Sequence, residues 1–185
     1  MDNGASSYRR YLEGDEEAFA HVVNAYFQRL MMFAARYVRD TGVAEDIAIE
    51  VFSDLIAYRH RYDFRWPLWS YLCMVARSRA LNYIKHNRVL EMLPLSEAGE
   101  REDPGQGPEE RMLQTEQTRA LHGAIAKLPP DQREAVQLVY FSELSCEDAG
   151  RVMRKTRKQI YNLLYRAKNT LRTELGEDGV ANAIK

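Results

Sequence analysis

The sequence predicts an all-α protein made of two small helical domains joined by a flexible acidic linker. Three observations carry this expectation. Apolar residues recur at spacings of three and four along most of the 185-residue chain, the period of a helix with one buried face. Helix formers dominate, β-branched residues are sparse, and no stretch of useful length alternates apolar with polar as a strand does. One segment, PLSEAGEREDPGQGPEE, is rich in Pro, Gly and acids and carries no apolar periodicity. Such a segment buries too little to offset the entropy of ordering it. The predicted division is a first domain over 1–90, a linker over 91–114, a second domain over 115–176 and a tail over 177–185. Domains this small bury only about 60% of their unfolded surface, so each is modestly stable.

The first long helix opens at Asp15, a good N-cap followed by the acids Glu16 and Glu17. Phe19, Val22, Val23, Tyr26, Phe27, Leu30, Phe33, Ala34 and Tyr37 form its apolar face, and Arg39-Asp40-Thr41-Gly42 breaks it. A second helix starts near Val43 with Ile47, Val51, Phe52, Leu55 and Ile56 inward, and runs into the basic and aromatic stretch Tyr58–Arg65. Pro67 suits the first turn of a third helix, where its missing N–H costs little. That helix extends to about Asn87 on a stripe of Leu68, Leu72, Val75, Ala76, Ala80 and Ile84. Beyond Gln114, Leu121, Ile125 and Leu128 mark another helix, stopped at Pro129-Pro130. Asp131 opens the next, with Ala135, Val136, Leu138, Val139 and Tyr140.

The segment LSCEDAGRVMRKTRKQIYNLLYRAKNTL has the pattern of a helix-turn-helix. Ser145 caps a short helix, with Asp148 three residues on, and Thr156 caps a longer one. Ala149, Val152, Ile160, Leu164, Ala167 and Leu171 supply a buried seam. Lys158, Asn162, Tyr165 and Arg166 then face away from it, with Tyr161 on the flank. Arg and Lys suit phosphates or guanine edges, and Asn suits adenine.

A formal net charge of −1 hides an uneven distribution. No acid occurs between Phe64 and Leu90, which holds Arg65, Arg77, Arg79, Lys85 and Arg88. None occurs between Ala149 and Thr173, which holds Arg151, Arg154, Lys155, Arg157, Lys158, Arg166, Lys168 and Arg172. Local basic blocks of this kind are the footprint of phosphate contact. The two cysteines, Cys73 and Cys146, sit in helical patterns and read as buried free thiols. His21, His60, His86 and His122 show no metal-ligand spacing. No apolar run approaches the roughly 20 residues that span a bilayer, and MDNGASSYRRYLEGDEEAF holds no signal-like apolar core. The expectation is a cytoplasmic protein without metal, cofactor or membrane insertion. No Gly-rich phosphate loop and no nucleophile with a plausible base is present, so the residues point away from an enzyme.

LPPDQREAVQLVYFSELSCEDAGRVM together with IYNLLYRAKNTL resembles region 4 of extracytoplasmic-function (ECF) RNA polymerase sigma factors, members of the sigma-70 superfamily. The matching residues are Leu128-Pro129, Arg133-Glu134, Leu144-Ser145 and Arg166-Ala167-Lys168 with Leu171. VRDTGVAEDIAIEVFSDLIAYRHRYD resembles region 2 of the same family through Ala44-Glu45-Asp46, Glu50, Val51, Phe52 and Tyr62-Asp63. The likeness spans about Tyr8 to Leu175. Departures from the family pattern are Arg154 for the glycine of the helix-turn-helix turn, Lys155 for the apolar residue beside it, Tyr71 for a tryptophan, Ser78 and Asn82 for Asn and Asp, and Ile49 for a glutamine.

The resemblance implies a factor that directs core RNA polymerase to promoters. Region 2 docks on the clamp helices of the largest subunit and captures the non-template strand of the −10 element. Region 4 binds the flap of the second-largest subunit and reads the −35 element as duplex. By matching positions Asp46 and Glu50 face the clamp helices, with Phe52 packed beneath; Asp46, Glu50 and Asp54 also form an i, i+4, i+8 acidic stripe. For the −10 strand the implied set is Tyr62, Phe64, Arg65 and Trp66 in the loop, then Arg77, Ser78, Arg79, Asn82, Lys85 and Arg88 on the next helix. The loop aromatics serve equally well as stacking faces or as core anchors. For the −35 element the set is Thr156, Arg157, Lys158, Tyr161, Asn162, Tyr165 and Arg166. Factors of this family are often held by an anti-sigma protein, and nothing in the sequence identifies one. The alternative is a helix-turn-helix repressor or activator that works without core polymerase, which leaves the acidic stripe and the aromatic-basic loop unexplained.

Overall fold

The computed structural model describes residues 3–91 and 116–181; side chains are described for 4–88 and 119–175. All regular structure among the described residues is helical. The chain divides into two compact units, Met1–Gly105 and Gln106–Lys185. Apart from Glu91, the expected linker over 91–114 lies outside the described residues, as do 182–185 of the expected tail.

The first unit has four helices: α1 (Asn3–Leu12), α2 (Glu17–Val38), α3 (Thr41–Ala57) and α4 (Leu68–Glu91). Asp15 caps the start of α2 as its sequence predicts, its carboxylate accepting from the Ala18 N–H at 3.2 Å. Arg39 ends α2 in the left-handed region, φ 53°. Asp40 then starts α3 two residues earlier than the apolar pattern suggested, its carboxylate accepting from the Val43 N–H at 3.1 Å. Val22, Leu30 and Ala34 of α2, Ala44, Ala48, Val51 and Leu55 of α3, and Leu68, Leu72, Ala76 and Ala80 of α4 are essentially inaccessible. The alanines let the helix axes approach closely where larger side chains would hold them apart. Ile56, expected inward, lies a helical step past Leu55 and is 41% exposed.

Helix α1 precedes the first helix expected from the sequence. Its Tyr8 is fully buried, donating its hydroxyl to the Leu55 carbonyl of α3 at 2.8 Å. The Tyr8 ring stacks on Phe64 at 6.0 Å and meets Tyr62 edge-on at 5.8 Å. Gly4 lies so close to Tyr26 that a Cβ would fall 2.2 Å from its ring. Gly4, Tyr8 and Tyr11, the last with its ring 4.9 Å from Phe19, form the docking face of α1. Arg79 of α4 ties α4 to α3 by bridging Glu50 and Asp54, the Asp54 arm at 2.5 Å.

The second unit comprises α5 (Glu116–Lys127), α6 (Pro130–Val136), a π-helical turn (Gln137–Phe141), α7 (Cys146–Met153) and α8 (Arg157–Ala181). Pro130 occupies the first turn of α6, so it opens that helix as well as separating it from α5. The wide turn places the Ser142 N–H on the Gln137 carbonyl at 2.9 Å, and Tyr140, expected inward, is left 36% exposed. Ser145 caps α7 by accepting from the Asp148 N–H at 3.0 Å. The predicted seam of Ala149, Val152, Ile160, Leu164, Ala167 and Leu171 is buried throughout. Both cysteines are free: Cys73 is buried, and burial pushes its thiol pKa up, whereas Cys146 is only half-buried at the start of α7.

The turn between α7 and α8 is tight. Arg154 sits at φ 55°, ψ 43°, in the position where a glycine is usual, and the Lys155 N–H closes on the Gly150 carbonyl at 2.8 Å. A Cβ on Gly150 would lie 2.6 Å from the Lys155 carbonyl oxygen, a backbone atom that cannot swing aside.

Four outcomes are expected from this packing. Gly150→Ala destabilises the second unit by about 1–3 kcal/mol through overpacking, whereas Arg154→Gly stabilises it by about 0.5–1 kcal/mol once the extra chain entropy of glycine is deducted; urea denaturation of each variant measures both. Burial, then the neighbouring Tyr71 and Tyr11, pushes the Tyr8 pKa up to about 12. Between the ordinary tyrosine value of 10 and that value the unfolded chain loses its proton first, so stability falls as pH rises, by about 1.4 kcal/mol per pH unit. Tyr8→Phe lacks that component in base titrations followed by circular dichroism. Arg79→Met, which removes the bridge from a partly exposed site, costs about 0.5–1 kcal/mol in low salt, and the difference shrinks in 1 M salt.

Candidate nucleic-acid interface

Helix α8 is fixed in rotation by its seam, so the remaining side chains have no choice of direction. Thr156, Arg157, Lys158, Tyr161, Asn162, Tyr165 and Arg166, all anticipated from the sequence, are exposed; Tyr161 is 49% and Tyr165 69% accessible. Such exposure of large aromatic rings on one helix face is the unusual feature here. The Arg157 guanidinium lies over the Tyr161 ring at 5.4 Å and donates to its hydroxyl at 3.2 Å. Arg157 is thereby oriented along the helix. The α8 start carries a reciprocal cap: Thr156 Oγ1 accepts from the Gln159 N–H at 3.2 Å, and Gln159 Oε1 accepts from the Thr156 N–H at 2.7 Å. The Thr-x-x-Gln pattern that announces it is plain in the sequence, yet Gln159 was passed over as a site residue.

In the first unit, Ser78, Lys85 and Arg88 share one exposed face of α4 with Met74 and Leu81, and Asn82 flanks them. Met74 and Leu81 are about 40% exposed, at 40% and 39%, giving this face apolar as well as cationic character. Arg77 is half-buried beside it. Arg79 belongs elsewhere. It turns toward α3 and is engaged by Glu50 and Asp54, so the cation grouped by sequence with the phosphate contacts is spent on an internal bridge in this structure.

The loop between α3 and α4 separates the two roles that its aromatics could play. Tyr62 is 5% exposed, with its hydroxyl donating to the Trp66 carbonyl at 2.6 Å and its ring against Tyr8, Phe64 and Tyr71. A ring enclosed in this way anchors the loop and offers no face for a base. Phe64 and Trp66 are half-buried, and the Arg9 guanidinium lies over Phe64 at 4.8 Å. Arg65 is exposed and pairs with Asp63 at 2.6 Å. Hydrogen bonds from the Arg65 side chain and backbone hold the Asp63 carboxyl down at about 2, well below the usual carboxylate range. Two more arginines of the basic and aromatic stretch, outside the −10 set, lie at this end of the unit: Arg61 3.9 Å over Tyr58, and Arg59 5.0 Å over Tyr11 while donating to its hydroxyl.

On α3, Asp46 and Glu50 are exposed and Asp54 is half-buried, one face of carboxylates as the spacing required. Phe52 lies beneath, 5% exposed, against Phe19 and Phe27. Among the described residues no group of three or more His, Cys, Asp or Glu side chains is placed to hold a metal ion, and no helix is long and apolar enough to cross a membrane.

Comparison with known proteins agrees with this geometry. The family model of sigma-70 region 2 matches residues 22–89, and that of sigma-70 region 4 matches 118–171. The chain is 28% identical over 168 residues to the ECF RNA polymerase sigma factor BldN of Streptomyces coelicolor, covering 89% of this chain and 63% of that protein. It is 24% identical over 171 residues to the ECF sigma factor SigW of Bacillus subtilis, covering 88% of this chain and 91% of that one. The fold is similar to that of the sigma factor RpoE of Bartonella quintana, solved in complex with the anti-sigma factor NepR, with a TM-score of 0.61 at 23% identity over 86% of this chain and 98% of that one. Two modules of one family, met in the family's own order, place this chain in the sigma-70 family as an RNA polymerase sigma factor of the ECF type.

Proposed function

We propose that this sigma factor directs core RNA polymerase to promoters through three surfaces with separate tasks. The observation that carries the assignment is the exposed face of α8, where cations, an amide and two aromatic rings stand together beside a buried seam. A helix presented in this way fits the major groove of a duplex, and it takes the −35 element. Asn162 and Arg166 meet base edges, Tyr161 and Tyr165 pack on bases and sugars, and Arg157 and Lys158 bind phosphates from the first turn of the helix, where its partial positive charge adds to theirs.

The first unit captures the non-template strand of the −10 element. Opening that strand sacrifices base stacking, which a protein replaces with aromatic faces and polar edges. Phe64 and Trp66 supply the faces, Ser78 and Asn82 the polar edges, and Lys85 and Arg88 the phosphate contacts. Tyr62 supports the loop from beneath. Arg65 and Arg77 flank this surface. The acidic face of α3, led by Asp46 and Glu50 and backed by Phe52, docks on the basic clamp helices of the largest polymerase subunit, and the second unit also engages the flap of the second-largest subunit. The domain division at 1–90, 91–114 and 115–176 belongs to the same proposal, as do action in the cytoplasm and restraint by an anti-sigma protein. The last draws support from the RpoE relative, which was solved with one.

Transcription by sigma-free core polymerase on randomised promoter templates tests the whole assignment. Enrichment of templates sharing two spaced elements, only when the protein and core are both present, is the expected result. Duplex binding by the protein alone, with no recruitment to core and no initiation, defeats it in favour of a free-standing repressor. Asn162→Ala lowers initiation from −35-dependent templates by about tenfold, since a good bidentate base contact is worth about 1–3 kcal/mol. Co-purification of that variant with core polymerase stays at the wild-type level.

A further inference from the structure

Gln159 lies on the face of α8 proposed to enter the −35 groove, next to residues already assigned to DNA. Its carboxamide is held by the Thr156 N–H at 2.7 Å. A backbone N–H can only donate, so the carboxamide atom facing it must be the oxygen, and the orientation of the amide follows from chemistry. Nε2, on the other side of the amide, keeps both hydrogens unspent by the cap. The side chain is exposed and lines a shallow depression with Lys155, Asn162, Leu163 and Arg166. Lys155 is turned partly inward by its ion pair with Asp131 at 3.0 Å.

An unrestrained glutamine presents both a donor and an acceptor, and so pairs with adenine, which shows an amino donor beside an N7 acceptor. The cap turns the Gln159 oxygen toward the helix backbone, occupies one of its two lone pairs and freezes the rotors that would otherwise be immobilised on binding. The amide nitrogen is left as a pre-oriented donor. We propose that Gln159 is a further contact of the −35 interface, donating from Nε2 to a hydrogen-bond acceptor on the duplex. The acceptor is either a base edge in the major groove, guanine O6 or N7 or thymine O4, or a phosphate oxygen. This inference rests on the assignment of α8 to the −35 element.

The test uses the full chain with core polymerase and compares wild type, Gln159→Glu and Asn162→Ala by selection on randomised −35 templates and by duplex titration across salt. Thr170→Glu, on an exposed position of the same helix outside the depression, controls for the added charge. Glutamate preserves the capping oxygen, being a usual residue of such a cap, so the melting temperature of Gln159→Glu stays near wild type. It replaces the donor with an acceptor. The expected result is a changed base preference at one −35 position, toward cytosine or adenine whose amino groups donate, with use of the wild-type element lowered about tenfold. A loss uniform across templates, beyond that of Thr170→Glu and with a salt slope shallower by about one, also upholds the donor and identifies its acceptor as phosphate. Wild-type preference and affinity in Gln159→Glu, with Asn162→Ala impaired, overturns the proposal and leaves Gln159 a cap alone. If Asn162→Ala is also without effect, the −35 assignment of this face falls and the proposal falls with it.

Discussion

Burial of one narrow seam per helix is the constraint on which the rest of this molecule depends. A helix can rotate about its own axis until its apolar stripe is covered, and then every other side chain is fixed in direction. Ile160, Leu164, Ala167 and Leu171 do this for α8, and Leu68, Leu72, Ala76 and Ala80 for α4. The proposed interfaces are therefore by-products of the core. A substitution in the seam would change which side chains stand outward without touching any of them, because turning α8 by one residue's worth of rotation exchanges Asn162 for its neighbour.

How much of this could be read from the chain follows from that constraint. Long helices with a regular stripe were legible, and so were the faces opposite the stripe; the outward set on α8 comes directly from the period. Helix α1 was overlooked although Gly4, Tyr8, Tyr11 and Leu12 recur at helical spacing, because the stripe is short and rests on tyrosines and a glycine where aliphatic residues mark the longer helices. The π-helical turn at Gln137–Phe141 was missed because a single extra residue per turn shifts the phase, and Tyr140 moves outward as a result. Arg79 shows a different limit. Composition groups it with Arg77, Lys85 and Arg88, while its rotation on α4 delivers it to carboxylates 25 and 29 residues earlier in the chain. Charge can be counted along a sequence, but pairing depends on tertiary placement.

The loop before α4 shows how half-open aromatic rings can be presented without loosening the core beneath them. Tyr62 closes the loop on itself through the Trp66 carbonyl, and Tyr8 reaches it from α1. Phe64 is then held between rings and a guanidinium with part of its surface still open. Aromatic rings suit this double duty, since one edge can be packed while another stays accessible. Asp63 accepts from the Arg65 side chain and backbone, bonds that lower its carboxyl pKa and tie the loop's turn together.

The Arg79 bridge bears on the proposed docking face of α3. Three carboxylates at Asp46, Glu50 and Asp54 form the stripe, but a guanidinium already lies across two of them. Seen from a Debye length away, the stripe carries the field of about two charges, and steering of a cationic surface toward it is correspondingly weak. At contact the count changes, because the fork of Arg79 holds Glu50 and Asp54 in set positions and an incoming cation meets a rigid array of oxygens. If α3 is the docking face proposed above, the arrangement exchanges capture rate for discrimination.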